Sequence, residues 1–206
     1  MDERSLAVTR RSLHGVAELV LAGPQYRQVS EIKLRVLPGG FGTVAAPDLR
    51  VDGHVLVTSM GPLPLAGSFA ELAAMAGVEA RPLDDLYSGG PGVGVHEQIE
   101  VDPEAARVLA DAFAQGDAAL LAFAPDEVPV LWPEHFDIGV SVGEANYGVS
   151  PGDDAIPEPY AYVGPWTPRS GAFWNEPFGA ARPMHALADV EAVLAFFRAG
   201  RSLVDN

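Results

Sequence analysis

The sequence predicts an α+β fold in which mostly antiparallel strands combine with about four helices. Hydrophobic patterns of helical period alternate with groups of short strand-like runs, and turn-forming Gly and Pro residues separate those runs. The chain has 206 residues, 48% of them hydrophobic, which is enough for one substantial core. We expect a single domain over residues 1–206. The alternative is two similar halves, residues 1–87 and 102–206, joined by a glycine-rich loop.

In the first half, the patterns predict a helix, an antiparallel meander and a second helix. Apolar residues recur at helical spacing over residues 9–22, and Gly23-Pro24 is expected to end that helix. Four strand-like runs with glycine turn signals predict the meander over residues 31–59. Ser68 and Glu71 have the spacing of a capping box and predict the start of the second helix.

The second half repeats the mixture of helix and strand. Asp102-Pro103 predicts a helix start, with continuation to Phe123. Residues 128–143, 145–150 and 158–164 are expected to be strands, and residues 188–199 form an amphipathic pattern typical of a last helix.

The charge of the chain excludes some classes of partner. The formal net charge is −15, Lys33 is the one lysine, and no Lys or Arg occurs between Val108 and Pro168. A nucleic-acid partner would need a basic surface, so none is expected.

The absence of cysteine removes disulfides and thiolate metal sites. No apolar run is long enough for a membrane span, so we expect a soluble cytoplasmic protein.

Two glycine-containing motifs match known sites only in part. Residues 148–152 have the G-x-S-x-G pattern of a hydrolase nucleophile elbow, but Pro151 has no N–H for an oxyanion hole. Because two further prolines follow within eight residues, a helix cannot begin there, and we expect Ser150 to be a turn residue. Residues 88–94, "SGGPGVG", lack the Gly-Lys-Ser/Thr ending of a phosphate-binding loop and predict a flexible connection.

The strands between residues 130 and 166 hold the candidate site. Alternation places His135 and Asp137 on one face of a strand with small residues, and Glu158, Tyr160 and Tyr162 on one face of another. Aromatic side chains flank them, as in many small-molecule sites. The candidate ligand-binding residues are Trp132, His135, Asp137, Tyr147, Glu158, Tyr160, Tyr162 and Trp166, with Trp174 as a further wall.

Three hypotheses for this group remain open. The first is a structural hydrogen-bond network, as in a purely structural or interaction protein, and the second is a small-molecule pocket. The third is a divalent-metal site of a hydrolase or isomerase, for which oxygen ligands would suit Mg²⁺, Mn²⁺ or Ca²⁺. No cofactor is otherwise predicted, and the sequence leaves the oligomeric state open. The candidate metal ligands are His135, Asp137, Asp153, Asp154 and Glu158.

The segments "LWPEHFDIGVSV" and "NYGVSPGDDAIPEPYAYVGPW" resemble a family of uncharacterised bacterial proteins that is defined as a domain of unknown function. The resemblance covers residues 131–166 and is looser elsewhere. It implies an α+β fold and directs attention to His135, Asp137, Asp153 and Glu158, but it implies no activity.

Overall fold

The computed structural model describes residues 2–205 and has an α+β fold with antiparallel strands, as the sequence predicts. Counted over those residues, four helices are present when the continuous helical stretch at the start of the chain is taken as one. The helices are α1 (Glu3–Gly15), a π-helical segment (Val16–Ala22), α2 (Gly23–Val29), α3 (Phe69–Met75), α4 (Pro103–Phe123) and α5 (Val190–Val204). The strands are β1 (Leu34–Leu37), β2 (Gly40–Thr43), β3 (Arg50–Asp52), β4 (Val55–Thr58), β5 (Gly61–Pro64), β6 (Val130–Trp132), β7 (Asp137–Val142), β8 (Ala145–Ser150), β9 (Tyr160–Pro165) and β10 (Ala180–Pro183).

The first helix is longer than predicted, and the expected stop at Gly23-Pro24 is wrong. The helix runs from α1 through the π-helical segment into α2 and ends at Ser30, which has a left-handed backbone. Pro24 is tolerated because it lies in the first turn of α2, directly after the wider π-helical segment. A side chain at Gly23 would collide with the carbonyl oxygen of Arg81, so this glycine serves close packing.

The chain packs as two compact units. The first consists of residues 1–111 and 131–136, and the second of residues 112–130 and 137–206. In the first unit, β1 pairs with β2, β2 with β3 and β3 with β4, which confirms the predicted meander of four strands. A fifth strand that the sequence did not predict, β5, pairs with β4. The capping box at Ser68 and Glu71 is also present at the start of α3.

In the second unit, β7, β8, β9 and β10 pair in sequence order as antiparallel neighbours. Helices pack directly against one face of these strands. A Cβ at Gly116 in α4 would lie 2.6 Å from Val149, and one at Gly200 in α5 would lie 2.7 Å from Val163. Because both helix backbones approach the strands at glycines, this face of the sheet is the core of the unit. We call it the helix face.

No helix among residues 2–205 combines the length and the apolar character required to cross a membrane.

Candidate functional site

The opposite face of the β7–β10 strands holds most of the predicted site. In an antiparallel pair, directly opposed residues point to the same side of the sheet. The register pairs Gly139 with Gly148 and Gly148 with Tyr162, and it pairs Ser150 with Tyr160. We call this side the tyrosine face, which comprises Asp137, Gly139, Ser141, Asn146, Gly148, Ser150, Tyr160, Tyr162 and Gly164.

Tyr162 reaches Asp137 across an intervening strand. Its phenol ring lies over Gly148 and Gly139, where a Cβ would come within 2.6 Å and 3.0 Å of the Tyr162 hydroxyl. The hydroxyl donates a hydrogen bond to Oδ2 of Asp137. Burial, followed by the negative charge of Asp137, raises the pKa of Tyr162 well above its usual value. The phenol is therefore a proton donor to the carboxylate at neutral pH.

A second tyrosine–aspartate pair lies beside the first. The hydroxyl of Tyr160 donates to Oδ2 of Asp153 over 2.7 Å, and burial and this bond raise the pKa of Tyr160. Oδ1 of Asp153 accepts the backbone N–H groups of Ala155 and Ile156, which fixes the loop after β8. The rings of Tyr160 and Tyr162 are 6.5 Å apart, edge to face. The two pairs thus form one continuous polar and aromatic cluster, in which Tyr160 is buried and Tyr162 is half-buried.

Ser150 is the last residue of β8, paired with Tyr160, and is not part of a nucleophile elbow. Its Oγ accepts the N–H of Gly152 at 3.1 Å, an arrangement typical of a serine turn. The residues after Ser150 form no helix, as the sequence predicts, but Ser150 itself is the last residue of β8 and not a turn residue.

Trp166 marks the other end of the tyrosine face. Its indole Nε1–H donates to Oδ1 of Asn146 at 3.3 Å, and the same oxygen accepts the hydroxyl of Ser141 at 2.8 Å. The residue is nevertheless 64% exposed. An exposed tryptophan held by a hydrogen bond presents a fixed apolar plane to solvent.

The structure places Tyr147 on the helix face, away from the other predicted residues. Its ring packs against Phe123 and Phe197, with centroids 4.5 Å and 6.1 Å away. Burial raises the pKa of its hydroxyl to about 12. Among the described residues, this hydroxyl is the buried side-chain polar atom without a hydrogen-bond partner. Tyr147 therefore contributes to the core rather than to a ligand surface.

We expect Tyr147→Phe to leave the free energy of unfolding unchanged or to raise it by about 1 kcal/mol, because a buried polar atom without a partner costs stability. Urea unfolding of wild type and variant measures the difference. If Tyr147→Phe lowered the free energy of unfolding by more than about 1 kcal/mol, the Tyr147 hydroxyl would have a hydrogen-bond partner after all, such as a buried water or a ligand.

The remaining predicted residues lie outside the tyrosine–aspartate cluster. Trp132 and His135 belong to the first unit, where the His135 side chain is 70% exposed and lies 4.0 Å from Glu134. Glu158 instead meets a histidine that the sequence did not connect with it, since its Oε2 is 2.6 Å from Nδ1 of His185. Asp154 is exposed in the loop after β8.

No group of three or more His, Asp or Glu side chains within residues 2–205 is positioned to hold a metal ion. The geometry of this part of the chain therefore gives the metal hypothesis no support.

Sequence reasoning missed a buried carboxylate in the first unit. Glu18 lies in the π-helical segment and is 3% exposed. Its Oε2 accepts the hydroxyl of Tyr87 at 2.8 Å, and a Cβ at Gly90 would lie 2.7 Å from the same oxygen. Burial raises the pKa of Glu18 above its usual value. The signal was present, because Glu18 interrupts the otherwise apolar run "VAELVLA".

His14, one turn before Glu18, has a structural role in the first unit. Its ring stacks on Phe136 at 5.4 Å, and its Nε2 lies 2.8 Å from the carbonyl oxygen of Pro133. Burial lowers its pKa to about 4, so the ring is neutral at pH 7. A neutral ring in this position donates to the carbonyl of Pro133 and holds the turn after β6.

Comparison with protein-family models, curated proteins and solved structures gives no match. The resemblance of residues 131–166 to a bacterial family of unknown function stays a prediction.

Proposed function

We propose that the protein binds a small organic molecule on the tyrosine face of β7–β9. The observation that carries the proposal is the exposed indole of Trp166, held by Asn146 beside the Tyr162–Asp137 pair. Small-molecule sites typically combine aromatic surface with a few fixed polar groups. Here the polar groups are already oriented by hydrogen bonds within the chain, which lowers the entropy cost of binding.

The setting of this site disfavours anionic ligands and nucleic acid. No Lys or Arg occurs between Val108 and Pro168, so a phosphate would meet no cation from these strands.

We further propose that the protein acts in the cytoplasm. The chain has no cysteine and so forms no disulfides, which are typical of oxidising compartments.

Titration of ¹⁵N-labelled protein with a panel of small metabolites tests the proposal. The chain has three indole N–H groups, and Trp166→Phe assigns the one on the tyrosine face. We expect a ligand to shift the Trp166 resonance and to leave Trp132, which belongs to the first unit, unchanged. At 100 times its dissociation constant, such a ligand should also stabilise the fold by about 2.7 kcal/mol.

A panel in which no compound shifts the Trp166 resonance would refute the proposal and would favour the structural alternative. In that case the Tyr160–Asp153 bond serves only to hold the loop after β8, and the Tyr162–Asp137 bond only to join β9 to β7. A shift confined to Trp132 would also refute it, because binding would then occur on the first unit.

A further inference from the structure

We propose that the ligand of the tyrosine face is a small organic cation of the quaternary ammonium type. This inference rests on the proposed function and adds the chemical class of the ligand. Its basis is the position of the positive and negative charges around the exposed indole of Trp166 and the half-buried ring of Tyr162.

The basic residues of the second unit are few and lie elsewhere. The unit has four arginines against twelve aspartates and glutamates. Arg198 and Arg201 are in α5, and Arg169 donates to the carbonyl oxygen of Val204 at the end of that helix. Arg182 is paired with Ala161 on the helix face and stands over the ring of Phe196. The tyrosine face therefore receives no arginine from any of these four positions.

The acidic groups, in contrast, are on the tyrosine face itself. Asp137 and Asp153 each accept a phenol hydroxyl there. A phenol that donates to a carboxylate becomes more electron-rich, because hydrogen-bonded groups polarise one another. The negative ring face of Tyr162 is thereby strengthened, and a ring face of this kind attracts a cation.

The aromatic groups are spaced for one small ligand. Along a strand, successive residues on one face are about 6.6 Å apart. Directly opposed residues of neighbouring strands form rows across the sheet. The Tyr162 ring lies over the row of Gly139 and Gly148. The indole of Trp166 donates to Asn146, which lies in the next row with Ser141. An ammonium group between the rows would face Trp, the best of the cation-binding rings, and Tyr together.

Charge complementarity selects the cation over other occupants. An anion on the tyrosine face would meet two carboxylates and no arginine of the second unit, which costs free energy. A neutral molecule could stack on Trp166 but would gain nothing from Asp137 or Asp153. The net charge of −15 also raises the local concentration of cations near the whole chain.

The test compares choline with its neutral carbon isostere, 3,3-dimethylbutan-1-ol, by titration of the intact chain and observation of the Trp166 indole resonance. The two probes have the same shape and differ in charge. We expect choline to bind about tenfold more tightly, and added salt to reduce this preference. The two variants are compared by the choline-dependent rise in melting temperature, because Trp166→Leu removes the indole reporter. Trp166→Leu should weaken choline binding about tenfold, whereas the matched variant Trp132→Leu, also a change at an exposed tryptophan, should not.

The outcomes separate this inference from the function on which it rests. Equal affinity for the two probes would overturn the cation assignment and leave the ligand site in place. Failure of both probes, while a metabolite of another class shifts Trp166, would do the same. If neither these probes nor any metabolite shifts Trp166, both the cation assignment and the proposed function are refuted.

Discussion

Gly148→Ala should destabilise the protein by about 3 kcal/mol, at the upper end of the usual cost of overpacking. The added methyl group would lie 2.6 Å from the ring of Tyr162 and closer still to the carbonyl oxygen of Ile138. The second clash is with backbone, so no rotamer change relieves it. The variant must separate β7 from β8 or displace Tyr162 from Asp137. Thermal unfolding should show a midpoint lowered by roughly 6–12 °C for a chain of this size.

Gly164→Ala is the matched control. Gly164 lies on the same face in the neighbouring strand, but its nearest atom to an added Cβ is 3.7 Å away, an ordinary contact. We expect the midpoint to change little, or to rise slightly because alanine restricts the unfolded chain. Equal losses in the two variants would show that strand glycines matter here for backbone freedom and not for the space that Tyr162 fills.

The hydrogen bond between Tyr162 and Asp137 shows how much of the candidate site can be predicted from the sequence. Alternation along each strand correctly placed Asp137 and Tyr162 on polar faces. It wrongly placed His135 on the same strand as Asp137, because residues 133–136 form a turn between β6 and β7. It could not show that β8 separates the two strands, since pairing depends on the whole topology. Nor could it show that Gly139 and Gly148 leave the space through which the phenol reaches the carboxylate. Such contacts depend on register, which a period of two leaves open.

The first helix shows a second limit of prediction. The apolar period over residues 9–22 correctly predicts a buried helix, and Gly23-Pro24 is an ordinary stop signal. The structure overrides that signal, because the backbone at Arg81 packs directly onto Gly23. Tertiary packing of this kind involves residues far apart in the chain, and a local pattern carries no information about it. The same holds for Glu18, whose partner Tyr87 is 69 residues away.

Tyr87→Phe should lower the free energy of unfolding by about 2 kcal/mol at pH 7, the usual worth of a hydrogen bond to a charged group. The phenol of Tyr87 is a donor to the buried Glu18 carboxylate, and the approach of Gly90 leaves little room for a replacement water. Removal of the hydroxyl leaves a buried charge with one donor fewer. Tyr26→Phe, a change at a half-buried tyrosine two turns beyond Glu18, is the matched control and should cost less.

The loss in Tyr87→Phe should depend on pH in a defined direction. Burial raises the pKa of Glu18 above its ordinary value of 4.5, and the bond from Tyr87 opposes that rise. A raised carboxyl pKa contributes stability that is fully present below the unfolded pKa and lost as pH rises through the folded pKa. Without the Tyr87 hydroxyl the pKa of Glu18 rises further. The free energy of unfolding of Tyr87→Phe should therefore fall little below that of the wild type near pH 4 and furthest below it near neutral pH. In a Glu18→Gln background the loss should no longer depend on pH in this range. A loss that stays constant with pH in the wild-type background would show that Glu18 does not carry the charge that Tyr87 stabilises.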